Sequence, residues 1–157
     1  MERLIREAVE ADIAPMHAIR MAVRENVLSD ASWLTPEVYR GYLPGRGEGC
    51  TWVAEVDGRI VGFSTARLFE RDIWALFVDP AHEGRGIGRA LLDAATAWLF
   101  ARGADVIELG TSPATRADRF YLEAGWQRGA LNGRGDVLYR LPRPSADEPL
   151  ISETAPC

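Results

Sequence analysis

The sequence contains no lysine, and all 18 of its basic residues are arginine. A Walker-type phosphate loop places a lysine on the terminal phosphates of its nucleotide, so that motif is excluded. Schiff-base chemistry and a lysine nucleophile are excluded for the same reason. The function classes that depend on a lysine side chain therefore do not apply to this chain.

Cysteine and histidine, the usual metal ligands, are also scarce, and the net charge is negative. Only two cysteines and two histidines occur, with no Cys-x-x-Cys or His-x-x-x-His spacing, so we expect no metal site. The net charge of −5 argues against a nucleic-acid partner, which needs a basic face. No apolar run approaches the roughly 20 residues that cross a bilayer, and the charged start Met1–Glu7 shows no signal-peptide pattern. We therefore expect no membrane partner and a cytoplasmic location.

The composition is that of a globular protein with one core. The chain has 157 residues, of which 47% are apolar and 26% charged. We expect a single domain over residues 1–142. The remaining residues, 143–157, are rich in proline and acidic residues and lack periodicity, which predicts a flexible tail.

Hydrophobic periodicity and turn residues predict eleven elements in the order β-α-α-β-β-β-α-β-α-β-β. The expected strands are Arg3–Ala8, Thr51–Val56, Arg59–Leu68, Asp72–Val78, Val106–Leu109, Trp126–Leu131 and Val137–Leu141. The expected helices run over about Asp12–Leu28, over Pro36–Leu43, from Ile87 to a C-cap at Gly103, and from Ser112-Pro113 to Gly125.

The most informative segment joins the strand that ends at Val78 to the helix that follows it. Three glycines alternate in this turn: Gly84, Gly86 and Gly88. Glycine lets the backbone approach an anion closely, and the N–H groups of a helix N-terminus bind phosphate. Arg85 and Arg89 add charged donors, so the turn predicts a diphosphate ligand. A plain strand-to-helix turn with surface arginines is the alternative. The dinucleotide fingerprint fits poorly, because Arg89 stands where its last glycine belongs.

Glu83-Gly84-Arg85-Gly86-Ile87-Gly88 resembles motif A of the GNAT superfamily of N-acetyltransferases, whose pattern is Gln/Arg-x-x-Gly-x-Gly/Ala. Glu83 departs from that pattern, since the first position is normally Gln or Arg. The resemblance implies pyrophosphate contacts made mainly by backbone amides. We therefore expect the Glu83 side chain to point away from the phosphates.

A second segment, Ala114–Trp126, resembles the family's motif B, Asn-x-x-Ala-x-x-Phe-Tyr-x-x-x-Gly-Phe. The matching positions are Ala117, Phe120, Tyr121 and Gly125. Ala114 stands in place of the asparagine, and Trp126 replaces the last phenylalanine. The element order fits the family from Arg3 to Leu141. The implied fold is α/β (α+β), with a mixed, mostly antiparallel central sheet of about seven strands flanked by about four helices.

The resemblance implies an acetyl-CoA-dependent N-acetyltransferase that releases coenzyme A when an amine attacks the thioester directly in a ternary complex. Tyr121 occupies the family's position for the acid that protonates the departing thiolate. The alternative is a core tyrosine beside Phe120. The residues expected at the cofactor are Leu76, Phe77, Val78, Glu83, Gly84, Arg85, Gly86, Ile87, Gly88, Arg89 and Tyr121.

The attacking amine must be neutral, so the resemblance also implies a base or a water path. Asp72, at the start of its strand, matches the place where many members carry a glutamate base, and Glu108 is a second candidate. The alternative for Asp72 is an ion pair with Arg71 or another arginine. Backbone N–H groups of Leu76 to Val78 are the expected oxyanion donors, and they also hold the pantetheine arm.

The acceptor is expected under the first two helices. Arg20 and Arg24 lie one predicted turn apart and are candidates to hold an acceptor carboxylate. A solvated helix face is the alternative. Trp33 and Trp74 are candidates to line an apolar pocket, with core packing as the alternative.

Three functions stay open from the sequence. The first is a small-molecule amine N-acetyltransferase, the second is a protein or peptide N-terminal acetyltransferase, and the third is a non-catalytic acyl-CoA-binding sensor. The oligomeric state is also open, with a homodimer as one candidate.

Overall fold

A computed structural model describes residues 2–145, so most of the predicted tail lies outside the described residues. Within residues 2–145 the chain forms seven strands and four α-helices in the predicted order, with single 3-10 turns at Glu10–Asp12 and Pro80–His82. The elements are β1 (Arg3–Glu7), α1 (Ile13–Ala22), α2 (Pro36–Arg40), β2 (Gly49–Val56), β3 (Arg59–Arg67), β4 (Asp72–Val78), α3 (Ile87–Ala101), β5 (Val106–Thr111), α4 (Arg116–Glu123), β6 (Gln127–Leu131) and β7 (Val137–Pro142).

All seven strands form one sheet in the order β1-β2-β3-β4-β5-β7-β6. Neighbouring strands are antiparallel, except that β4 and β5 run parallel. The expected turns join these strands: Asp57-Gly58 closes the β2–β3 hairpin, and Asn132 accepts backbone N–H bonds inside the turn between β6 and β7. The predicted fold class is confirmed.

The parallel pair β4–β5 is joined at one position only, where Asp72 is opposite Glu108. On its other edge β4 stays paired with β3, but Ala75 is opposite Thr65 and Ile73 is opposite Ala66, which leaves Trp74 as an extra residue. Such a bulge bends its strand and increases the local twist. The carboxyl-terminal half of β4 therefore diverges from β5 and leaves a wedge-shaped opening in the sheet.

Helices cover both faces of the sheet. The helix α3 buries a broad apolar face, including the fully buried Leu91, Ala95 and Leu99, against the strands on one side. On the opposite side, α1 and α2 enclose a second core around Met16 and Phe63. The opening between β4 and β5 is therefore bounded by helices on either face.

The first helix is shorter than predicted. It ends at Ala22 rather than Leu28, and Val23 has extended backbone angles. The apolar periodicity that suggested the longer helix continues to Val27, but that side chain is 68% exposed. Two contacts stabilise the irregular segment instead: Arg20 Nη2 donates to Asn26 O (3.0 Å), and Glu25 Oε1 accepts from the N–H of Arg116 (3.0 Å). The chain thus leaves α1 early and crosses to α4.

The fourth helix starts later than predicted, at Arg116 rather than at Ser112-Pro113. Its N-cap is Thr115, whose Oγ1 accepts from the N–H of Asp118 (3.2 Å). Capping by a hydroxyl satisfies one of the free N–H groups of the first turn, so the local signal at Thr115 outweighs the proline two residues earlier. The second helix also ends three residues before the expected Leu43.

Asp118 ties α4 to the last two strands. Its carboxylate accepts from the N–H of Ala114 (2.9 Å), from Arg128 Nε and Nη2 (2.9 and 3.0 Å) and from the hydroxyl of Tyr139. Asp118 and Tyr139 are buried. The hydrogen bonds from Arg128, followed by those from Tyr139 and Ala114, hold the pKa of Asp118 well below its usual range. The ionised carboxylate is therefore part of the folded structure.

Asp118→Asn is expected to lower the melting temperature by several degrees at pH 7, because a buried network loses its charged acceptor. A depressed pKa stabilises the folded chain above the ordinary aspartate pKa of about 3.9, and this stabilisation disappears as the pH falls below it. The difference in melting temperature between wild type and variant should therefore become smaller below about pH 4. Asp105→Asn, at a side chain that is 90% exposed, is the control. An equal gap at all pH values would contradict this role.

Candidate active site

A cavity of about 660 Å³ lies beside the carboxyl-terminal end of β4. This volume is within the range of small-molecule and cofactor sites. The end of β4, the glycine turn, the start of α3, one side of α4 and the segment after α1 enclose it. The predicted cofactor residues that line it are Leu76, Phe77, Val78, Glu83, Gly84, Gly86, Ile87, Gly88, Arg89 and Tyr121. Arg85 is the one predicted cofactor residue that is not among the lining residues.

The glycine turn presents backbone N–H groups to this cavity. Gly84 and Gly86 have φ angles of 76° and 81°, which other residues adopt only with strain. Gly86 is the N-cap of α3 and has no side chain to cap the helix. The first intrahelical bond is donated by Ala90 to Gly86 O (3.1 Å). The N–H groups before Ala90 therefore have no intrahelical partner and are available to bind an anion at the positive end of the helix dipole.

Two arginines from distant elements meet this turn. Arg3 of β1 donates to the backbone carbonyl of Arg85 (3.1 Å). Arg116 of α4 lies 3.6 Å from a carboxylate oxygen of Glu83. The ion pair offsets the charge of Glu83, the residue that departs from motif A. Because both side chains are exposed at the surface, the pair is a weak constraint that a ligand phosphate can displace.

Tyr121 lies on the cavity wall opposite the glycine turn. Its side chain is buried, and its ring packs against Phe120, Trp126 and Tyr139 at centroid distances of 5.2 to 5.6 Å. Burial raises the pKa of Tyr121 above its ordinary value. The hydroxyl is therefore protonated at neutral pH, as a proton donor must be.

The two carboxylates predicted as bases lie outside the cavity. Asp72 forms a two-pronged ion pair with Arg67, at 2.9 Å to Nε and 2.6 Å to Nη2. Glu108 is exposed and lies 3.9 Å from Arg140. Neither lines the space next to Tyr121. The sequence anticipated an arginine partner for Asp72, but the partner is Arg67 rather than the adjacent Arg71.

The predicted acceptor residues divide between two spaces. Arg20, Trp33 and Trp74 line a smaller pocket of about 90 Å³ beside β4. Arg24 lines the large cavity instead. The expectation that Arg20 and Arg24 lie one turn apart on a helix is wrong, because α1 ends between them.

Sequence reasoning missed several residues of the cavity. Arg116 and Arg119 lie one turn apart inside motif B, so their spacing was a usable signal. His82, in the turn before the glycines, was not missed, because the sequence leaves open a cofactor contact or, as the favoured interpretation, a plain turn residue. It lines the cavity, and its buried Nδ1 has no partner among the described residues. Glu25 carried no signal, because its position depends on the early end of α1. Residues 2–145 contain no cluster of three or more potential metal ligands and no helix long and apolar enough to cross a membrane.

A family model described as Acetyltransferase (GNAT) family matches residues 15–126. The chain belongs to this GNAT family. The chain is 35% identical over 107 residues to an uncharacterized N-acetyltransferase of Archaeoglobus fulgidus, covering 62% of this chain and 73% of the archaeal protein. The expected assignment as an N-acetyltransferase enzyme is confirmed.

Two further GNAT relatives are longer proteins. A mycothiol acetyltransferase of Thermobispora bispora is 33% identical over 99 residues, covering 57% of this chain and 32% of that protein. An L-2,4-diaminobutyric acid acetyltransferase of Nocardia farcinica is 37% identical over 70 residues, covering 41% and 36%. This chain therefore matches about a third of each of these two relatives.

Solved structures of N-acetyltransferases share the fold of this chain. The PaiA N-acetyltransferase of Thermoplasma acidophilum, in complex with coenzyme A, superposes with a TM-score of 0.75 at 18% identity. The match covers 91% of this chain and 100% of the Thermoplasma acidophilum chain. The likeness confirms the GNAT fold.

Gly86→Ala is expected to weaken binding of acetyl-CoA by about five- to thirtyfold. A left-handed residue with a Cβ costs about 1–2 kcal/mol, and relief of that strain turns the N–H groups away from the phosphates. Isothermal titration calorimetry with acetyl-CoA measures the change. Gly133→Ala is the matched control, since Gly133 has no positive φ and nothing within 4 Å of an added Cβ. Equal affinities for the two variants would show that this backbone conformation is not required.

Proposed function

We propose that this GNAT enzyme transfers the acetyl group of acetyl-CoA to a primary amine of a small molecule, by direct attack in a ternary complex. The observation that carries the proposal is the shared cavity of the glycine turn and Tyr121. The glycine turn is suited to binding a diphosphate, and Tyr121 is suited to protonating a leaving thiolate. The crystallisation of the PaiA N-acetyltransferase with coenzyme A supports the same donor.

In this proposal the pyrophosphate lies on the N–H groups that follow Gly86, and Arg89 and Arg116 supply charge beside it. The pantetheine arm follows the edge of β4 that β5 leaves free beyond Asp72. An extended chain on a free strand edge gains hydrogen bonds as an added strand does. The thioester then comes to lie beside Leu76 to Val78, whose N–H groups are candidate donors to the oxyanion.

The chemical step forms a bond between the amine nitrogen and the acetyl carbon and breaks the bond between that carbon and sulfur. The electron pair of the broken bond stays on sulfur. Tyr121 gives its proton to the thiolate, so that coenzyme A leaves as a thiol, and the amine nitrogen loses one proton to water, through which a proton returns to the Tyr121 phenolate. The products are the N-acetyl amine and coenzyme A. Asp72 and Glu108 are not assigned the base role here, since neither lines the cavity.

A small-molecule acceptor is favoured over a protein by the segment after α1. This segment lines the cavity and is bonded to α4, where Glu25 accepts from the N–H of Arg116. Two relatives are also named for small molecules, mycothiol and L-2,4-diaminobutyric acid.

The test is thiol release from acetyl-CoA with a panel of small amines, and with short peptides as a second arm. We expect acetyl-CoA to raise the melting temperature and at least one small amine to release thiol. Release with peptides alone would overturn the small-molecule acceptor. No thermal shift with acetyl-CoA would overturn the cofactor assignment.

Tyr121→Phe is expected to lower kcat by about 10²- to 10⁴-fold, the usual contribution of a general acid. The ring and its packing stay, so the dissociation constant of acetyl-CoA should change less than about threefold. Steady-state kinetics and calorimetry measure the two effects. Phe120→Tyr, which adds a hydroxyl to the neighbouring ring, should not restore activity to Tyr121→Phe. An unchanged kcat would remove Tyr121 from the acid role.

The value of kcat/KM should increase with pH as the amine loses its proton. It should show no decrease at any pH up to about 10. Burial disfavours the phenolate of Tyr121, so its acid form persists above the ordinary tyrosine pKa of about 10. Initial rates between pH 6 and pH 10, with the fold monitored by circular dichroism, test this. A descending limb between pH 7 and pH 9 would contradict a tyrosine acid with a raised pKa.

A further inference from the structure

The smaller pocket contains a half-buried cation in largely apolar surroundings. Arg20 extends from the last turn of α1 over the ring of Phe77, with its Cζ 4.3 Å from the ring centroid. The remaining walls are aliphatic and aromatic side chains and the face of β4. They are Leu28, Trp33, Leu34, Tyr39, Phe63, Trp74 and Ala75.

One nitrogen of the Arg20 guanidinium has a hydrogen-bond partner that holds the group in place, and another has none among the described residues. Nη2 donates to the backbone carbonyl of Asn26 (3.0 Å), which orients the group. Nη1 is buried and has no hydrogen-bond partner among the described residues. The one hydroxyl on the pocket wall, that of Tyr39, is 2.9 Å from His17 Nδ1 and so already has a partner.

The cation also lacks a counter-ion. No carboxylate within residues 2–145 forms an ion pair with Arg20, in contrast to Arg6, Arg67 and Arg128, which each pair with one or two acidic groups. Burial lowers the pKa of Arg20 below its ordinary value, although the guanidinium stays charged. Burying an unpaired charge costs free energy, and a bound anion recovers part of it. A carboxylate matches the planar fork of a guanidinium.

The position of this pocket connects it to the reaction. Phe77 lines both the smaller pocket and the large cavity, and it belongs to the segment of β4 assigned to the thioester. The volume of about 90 Å³ equals that of roughly three water molecules, which is enough for a carboxylate and a few further atoms. A group that is anchored here therefore lies next to Phe77, a residue that also lines the large cavity.

We propose that the pocket around Arg20 binds the carboxylate of the acceptor, so that the substrate class is an amino acid or an amino-acid-like amine with an apolar or aromatic body. This inference rests on the proposed N-acetyltransferase function. Arg20 is thereby a specificity-determining residue, and Trp33 and Trp74 pack against the atoms next to the carboxylate. Arg24, which the sequence grouped with Arg20, belongs to the large cavity and has no part in this recognition.

The experiment compares matched acceptors that differ only in the carboxylate. L-phenylalanine is paired with 2-phenylethylamine, L-tryptophan with tryptamine, and L-leucine with 3-methylbutylamine, while L-phenylalaninamide removes the charge and keeps the shape. Thiol release at saturating acetyl-CoA gives kcat and KM for wild type, Arg20→Met and Arg20→Lys. Arg46→Met, at an exposed loop position, is the matched control.

Wild type should favour at least one carboxylate-bearing member over its partner. Arg20→Met should raise the KM for that member by about 10- to 100-fold, as expected when a charged hydrogen bond is lost. Its kcat/KM for the partner amine should change less than about threefold, because the partner has no carboxylate to lose. Arg20→Lys should retain part of the discrimination, and Arg46→Met all of it. The thermal shift with acetyl-CoA should be the same for all four proteins.

Other outcomes overturn the inference. Equal loss of activity on both members of a pair in Arg20→Met and Arg20→Lys would show a structural role for Arg20. Turnover of the neutral amines alone, with a normal acetyl-CoA shift, would exclude a carboxylate-bearing acceptor and leave the proposed function intact. Absence of both the acetyl-CoA shift and thiol release would overturn the proposed function, and this inference with it.

Discussion

The separation of β4 from β5 is the constraint on which the site depends. The two strands are parallel neighbours, yet they pair only where Asp72 meets Glu108. A sheet that stayed paired here would have no free edge and no space between the strands. The extra residue Trp74 bends β4 at this point, and the ion pair between Asp72 and Arg67 fixes the last paired position to β3. Asp72, which the sequence predicted as a base, is therefore paired with Arg67 at the position where β4 and β5 separate.

Two kinds of interaction then complete the walls of this opening. Backbone geometry forms one wall, where Gly86 adopts a left-handed conformation and leaves the first N–H groups of α3 uncapped. The helix α4 forms another wall, and a buried polar network anchors it, because Asp118 links the start of α4 to Arg128 and Tyr139. That network sets the position of Tyr121, one turn further along α4. The glycine turn and the candidate acid are thus held by separate elements, which are brought together only by the tertiary fold.

The order of elements and the cofactor wall were predictable because their signals are local. The glycine turn, the hairpin at Asp57-Gly58 and the apolar face of α3 all depend on residues close together in sequence. The end of α1 was not predictable in this way. Its periodicity continues to Val27, and the contacts that end it, between Glu25 and Arg116 and between Arg20 and Asn26, depend on the packed structure. The same reason separates Arg20 from Arg24.

The early end of α1 also accounts for the electrostatics of the pocket around Arg20. On a continuous helix Arg20 and Arg24 would point in nearly the same direction, toward solvent or toward one shared ligand. Because the chain leaves the helix at Val23, Asn26 folds back and its carbonyl accepts from Arg20, which draws the guanidinium under the loop and over Phe77. Five aromatic side chains then line the pocket around a cation that has no carboxylate partner within the described chain. A cation held in this way discriminates strongly, since a neutral ligand leaves it unpaired in a medium of low polarity while an anionic ligand neutralises it. The irregular backbone after α1 is therefore what turns an ordinary helix arginine into a group suited to selecting an acceptor.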